Sequence, residues 1–167
     1  MDAPLAPLRA LFGSETGNAK QVAHDLATAA TARGLDVTLS ALGDCTPEEL
    51  ARQGCVLIVA ATTGDGEVTY DALLLWEALE APDAPRLDGL PFAVLGLGDT
   101  AYFDFCQAAV DFDRRLAELG GRRLHELVTC DLDYDDDAAR WIDAVLDLVA
   151  PRHVSPADPS EGRPASP

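Results

Sequence analysis

The sequence predicts an α/β fold, a three-layer sandwich in which a five-stranded parallel sheet of order 2-1-3-4-5 lies between helices on both faces. Three observations predict it. Val56 to Ala61 and Phe92 to Leu97 are continuous apolar runs too short for helices, and such runs read as strands buried on both faces. Strand-like and helix-like patterns alternate along the chain, as successive βα units do. Ser14-Glu15-Thr16-Gly17-Asn18-Ala19 places a small polar turn between the first strand and the first helix, where open parallel sheets hold their ligands.

The elements follow in order. Leu8 to Phe12 is the first strand, and a helical pattern runs from Asn18 to Arg33 with Gly34 as its stop. Leu35 to Ser40 is the second strand and Pro47 to Arg52 a short helix. The third strand, Val56 to Ala61, is extended by Cys55, bounded by Gly54 and Gly64, and followed by a helix over Asp71 to Glu80. The fourth, Phe92 to Leu97, is entered through Pro91 and left at Gly98. A helix over Phe105 to Leu119 is stopped by Gly120-Gly121. Arg123 to Cys130 is the fifth strand. The last helix, Asp135 to Val149, opens on three aspartates, which its dipole favours. Beyond Ala150 the chain turns to Pro, Ser and Ala without periodicity. Residues 1–150 therefore read as one domain and 151–167 as a disordered Pro-rich tail or linker.

Composition bounds the function. At 167 residues and 48% apolar content the chain supports a sizeable core. No run approaches the roughly 20 apolar residues of a membrane span, and the N-terminus has no signal-peptide pattern. Cys45, Cys55, Cys106 and Cys130 form no CxxC pair, so neither a disulfide framework nor a metal site is expected and a reducing cytoplasm fits. The formal charge of -17 disfavours nucleic acid and anionic membranes as partners. It suits plain solubility or attraction to a basic-faced protein. His24, His125 and His153 have no evident partner, and no catalytic constellation emerges.

In a parallel sheet every loop after a strand opens on the same edge, so the loops after strands 1, 3 and 4 form one crevice. The first, Ser14 to Ala19, aims backbone N–H groups and hydroxyls at one point, which suits a phosphate, though the same residues also serve as an ordinary helix cap. It lacks the GKS or GKT ending of a nucleoside-triphosphate loop. The second, Thr62-Thr63-Gly64-Asp65-Gly66-Glu67, brings glycine backbone close to a flat ligand. The third, Gly96 to Phe105, matches GxGxxA. That dinucleotide fingerprint belongs to a first βα turn, and here an aromatic segment with Tyr102, Phe103 and Phe105 follows instead. Asp131-Leu132-Asp133-Tyr134 after strand 5 adds acids. One phosphate turn, a Gly-rich wall and an aromatic wall fit FMN better than NAD.

The segments FGSETGNAKQVA, ATTGDGE, LGLGDTAYFDFCQAAVDFDRRLAELGG and DLDYDDDAARW resemble the flavodoxin-like FMN-binding domain of diflavin reductases. The likeness is greatest to the flavoprotein subunit of NADPH-dependent sulfite reductase, and it runs from about Leu8 to Val149. The resemblance implies that Ser14, Glu15, Thr16, Gly17, Asn18 and Ala19 hold the FMN phosphate. It implies that Thr62, Thr63, Gly64, Asp65 and Gly66 line one side of the isoalloxazine, and Leu97, Gly98, Asp99 and Tyr102 the other, with Tyr102 stacking. Phe105 and Cys106 fall behind the ring and Asp131 near the ribityl chain.

The family moves electrons one at a time, from an FAD/NADPH module to haem or iron–sulfur centres. Two departures stand out. Thr63 replaces the Tyr or Gln of many relatives, and Val68-Thr69-Tyr70 replaces a proline, leaving Tyr70 as a candidate to reach back over the flavin. Three readings follow: a free electron carrier, the FMN module of a sulfite or other diflavin reductase, and a flavodoxin-like interaction module without redox turnover.

Overall fold

A computed structural model describes residues 7–63 and 66–149. Gly64, Asp65 and the tail expected over 151–167 lie outside the described residues. The strands are β1 (Leu8–Gly13), β2 (Val37–Ala41), β3 (Cys55–Ala61), β4 (Pro91–Leu97), β5 (Arg122–Arg123) and β6 (Val128–Cys130). The helices are α1 (Asn18–Ala32), α2 (Pro47–Ala51), α3 (Leu73–Glu80), α4 (Gln107–Glu118) and α5 (Asp135–Val149). Strand order is β2-β1-β3-β4-β5, with β6 also on β4, and all the ladders are parallel. Fold class and order are those read from the sequence.

The apolar runs divide their side chains between two cores, as a sheet with period two requires. Cys55, Leu57 and Val59 of β3 join Leu26 of α1 and Trp141 of α5 on one face. Val56, Ile58 and Ala60 join Leu75, Leu79, Phe112 and Leu116 of α3 and α4 on the other. Burying each Val, Leu, Ile or Phe among them contributes about 1.5–3 kcal/mol, so the two layers clamp the sheet between them.

Four differences from the sequence pattern go beyond a one-residue shift at an element's end. β2 begins at Val37 because Leu35 belongs to the end of α1: its N–H bonds the Ala30 carbonyl at 3.0 Å while Gly34, at φ 81°, bonds Thr31. This is the paired-bond helix stop that glycine favours. Tyr70 to Ala72 is a 3-10 turn rather than the start of α3. α4 begins at Gln107, not Phe105, because Cys106 adopts a left-handed φ of 55°. The fifth strand is interrupted: β5 pairs with Pro91 and Phe92, β6 with Leu95 to Leu97, and the residues between leave the ladder. An edge position tolerates this because only one side of the strand is paired there.

Candidate functional site

The loops after β1, β3, β4 and β6 open on one solvent-facing cleft of about 190 Å³. Glu15, Thr16 and Asn18 form its first side. Gly17 precedes α1 at φ 99°, a conformation glycine adopts without strain, and no side chain caps the helix. The first N–H groups of α1 therefore lack an internal acceptor, an arrangement that suits an anion. Ser14 does not cap the helix; its hydroxyl accepts the Gly17 N–H at 2.9 Å and fixes the turn. Asp71 accepts the Ser14 N–H at 2.9 and 3.1 Å and the Thr69 hydroxyl at 2.6 Å. Ala19 is buried in the core and Gly17 lies outside the cleft lining.

The second side comes from Ala61, Thr62 and Thr63. Thr62 pairs with Val68 across a tight loop, and Thr63 accepts the Glu67 N–H through its hydroxyl. The Thr62 hydroxyl accepts the Ala108 N–H at 3.0 Å, capping α4 from a distance. Gly66, at φ 83°, faces Asp104 so closely that a Cβ would come within 2.6 Å. Tyr70 does not reach over the cleft. It is 93% exposed and lines a neighbouring groove with Trp76, because the 3-10 turn carries it away from the β3 end.

The third side is Leu97, Gly98, Asp99, Tyr102, Asp104, Phe105 and Cys106. Asp99 accepts the Ala101 N–H at 2.9 Å, closing the turn that presents Tyr102, whose ring is about half exposed at 53%. Cys106 is fully buried, and burial pushes its thiol up to about 12.

Asp131 is turned to a structural task. Its carboxylate accepts the Thr100 hydroxyl and the N–H groups of Thr100 and Leu132, so it knits the β4 loop to the β6 loop. The Thr100 hydroxyl, then the two N–H groups, hold that carboxyl below the usual carboxylate range. Leu132 and Tyr134 from the same segment line the cleft instead, and Ala61 and Asp104 also line it. The sequence signal for the first two was the apolar alternation inside Asp131-Leu132-Asp133-Tyr134.

An uncapped helix end facing a cleft with aromatic and aliphatic walls fits a flat ligand carrying one phosphate. Among the described residues no cluster of His, Cys, Asp or Glu is arranged to hold a metal, and no helix is long and apolar enough to cross a membrane.

Residues 11–141 match the flavodoxin family model. The sulfite reductase [NADPH] flavoprotein alpha-component of Thiocapsa roseopersicina is 49% identical over 148 residues, covering 87% of this chain and 28% of that protein. Its counterpart in Bacillus subtilis is 45% identical, covering 81% of this chain and 22% of that protein. The chain thus spans about a quarter of the length of these relatives. The oxidised form of a flavodoxin from Bacillus cereus superposes with a TM-score of 0.74 at 28% identity, covering 83% of this chain and 97% of that one. With a match over most of its length and the sheet order in agreement, this chain belongs to the flavodoxin family.

Proposed function

We propose that this chain is an electron-transfer flavoprotein that passes single electrons from an FAD/NADPH reductase module to a haem or iron–sulfur acceptor. Its cofactor is FMN. The observation that carries the reading is the meeting, in one cleft, of an uncapped helix N-terminus with walls containing Tyr102, Leu97, Phe105 and Tyr134. FMN supplies the redox chemistry when bound, accepting electrons and passing them on.

The chain's own residues bind and orient. The first N–H groups of α1, with Thr16 and Asn18, hold the phosphate. Tyr102 would flank the ring from the β4 loop, and Thr62 and Thr63 would meet it from the β3 loop. Leu97, Phe105 and buried Cys106 keep water from the inner wall. Asp99 and Asp104, which line the cleft, would disfavour added negative charge on a ring bound there and so would lower its reduction potential. Gly64 and Asp65 belong to the same proposal on the strength of the family motif alone.

The module reading has its own support in the relatives, whose alpha-components are several times longer than the matched region. On that reading the donor is covalently linked and the acceptor is a haemoprotein subunit. Four free, buried cysteines suit a reducing cytoplasm.

The test is the visible spectrum of the purified protein with FMN, followed by dithionite titration and reoxidation in air. A yellow protein whose flavin absorbance bleaches and returns is expected. A colourless protein with no affinity for added FMN overturns the reading, and bound flavin that does not reduce reversibly favours the interaction module.

A further inference from the structure

The turn that opens α1 is held from outside by a residue far along the chain. Asp71 lies in the 3-10 turn before α3, 57 positions from Ser14, and both its carboxylate oxygens accept the Ser14 N–H. Thr69, 1% exposed and the one buried polar residue among those described, donates its hydroxyl to the same carboxylate. Gly13 makes room for this arrangement, since a Cβ there would come within 2.9 Å of the Thr69 hydroxyl. Ser14 in turn accepts the Gly17 N–H. A continuous relay of hydrogen bonds therefore runs from Thr69 through Asp71 and Ser14 to Gly17, the residue that precedes α1.

A carboxylate near a phosphate site is unfavourable by simple Coulomb repulsion. Here its oxygens are engaged by one N–H and one O–H, and the Ser14 N–H it captures is withheld from any ligand. What it contributes is shape. With the Ser14 N–H held by Asp71 and its hydroxyl oxygen held by the Gly17 N–H, the turn is braced at both groups, which presets the uncapped N–H groups of α1 for binding. Preorganised donors of this kind favour an anion over its neutral analogue.

We propose that Asp71 is a positioning residue for phosphate recognition and sets the preference of this chain for FMN over riboflavin. The inference rests on the FMN reading above. It also joins the two sides of the cleft, because Asp71 closes the segment that begins at Thr62 and anchors the turn that begins at Ser14.

The test compares FMN and riboflavin affinities by flavin fluorescence quenching for the wild-type chain, Asp71→Ala and Thr69→Val. Hydrogen bonds to charged groups predict a roughly ten- to hundred-fold loss of FMN affinity in Asp71→Ala, with riboflavin weakened less than about threefold. Thr69→Val shifts the same ratio in the same direction by a smaller factor. An equal loss for both ligands, or an unchanged FMN affinity, overturns the proposal. Should Asp71→Ala fail to fold, the near-isosteric Thr69→Val decides, and an unchanged FMN-to-riboflavin ratio overturns it. A wild-type chain that binds neither flavin overturns the FMN reading itself, which is a separate outcome.

Discussion

Gly98 lines the cleft, yet its missing side chain makes room on the protein side. A Cβ there would stand 2.9 Å from the Cys106 sulfur, 3.0 Å from the Cys106 nitrogen and 3.2 Å from the Phe105 ring. Gly98→Ala must displace both residues, so it is expected to cost about 1–3 kcal/mol in urea unfolding and to weaken flavin binding with it. The thiols make a second prediction. Desolvation raises Cys55 and Cys106 from 9.0 to about 12 and Cys130 to about 11. The folded chain therefore holds protons that the unfolded chain releases. Stability from these groups is fully present below pH 9.0 and is lost as pH rises from there through about 12. Alkaline unfolding titrations should show that decline. Iodoacetamide should label the native thiols slowly at neutral pH and the unfolded ones quickly; fast native labelling would contradict the burial.

α2 is only five residues long and stands on its cap. Thr46 accepts the Glu49 N–H at 3.1 Å while Glu49 accepts the Thr46 N–H at 2.9 Å, and Pro47 occupies the first helical position. Hydrogen bonding from the Thr46 backbone is the main cause holding the Glu49 carboxyl low. Thr46→Ala should cost about 1 kcal/mol, read as a lower urea midpoint at unchanged slope. α1 and α4 end differently, on Gly34 and Gly120, each followed by a residue whose N–H returns to the helix: Leu35 to Ala30 and Gly121 to Leu116. The glycines were legible as stops. That Leu35 would be taken from the second strand was not, because the pattern marks an apolar residue without saying which element buries it.

Charge acts on the entire chain. Twelve basic residues face 29 acidic ones, so the folded form carries a self-repulsion that salt relieves. The ion pairs that exist are mostly exposed, as between Arg86 and Asp88, and each contributes at most about 1 kcal/mol. The thermal midpoint should therefore rise between low salt and roughly 0.15 M, where the Debye length is about 8 Å. On the reading that the acidic surface docks a basic-faced redox partner, association should slow over the same range in stopped-flow measurements. A salt-independent rate would remove the acidic surface from the docking argument.

The two-sided core and the edge where the loops meet were readable from the chain, because they follow from residue type and period, and the order came from the doubly wound pattern that five alternating βα units fit. Val56 to Ala61 is an apolar run too short for a helix and forms the central strand β3, and a parallel sheet sends every following loop to one side. The direction of individual polar groups was not readable. Asp131 reached Thr100 rather than the cleft, Tyr134 took the lining position, and Asp71 found Ser14 across 57 residues. Those partners are chosen by distances between loops, and loop-to-loop distance exists only once both cores have packed.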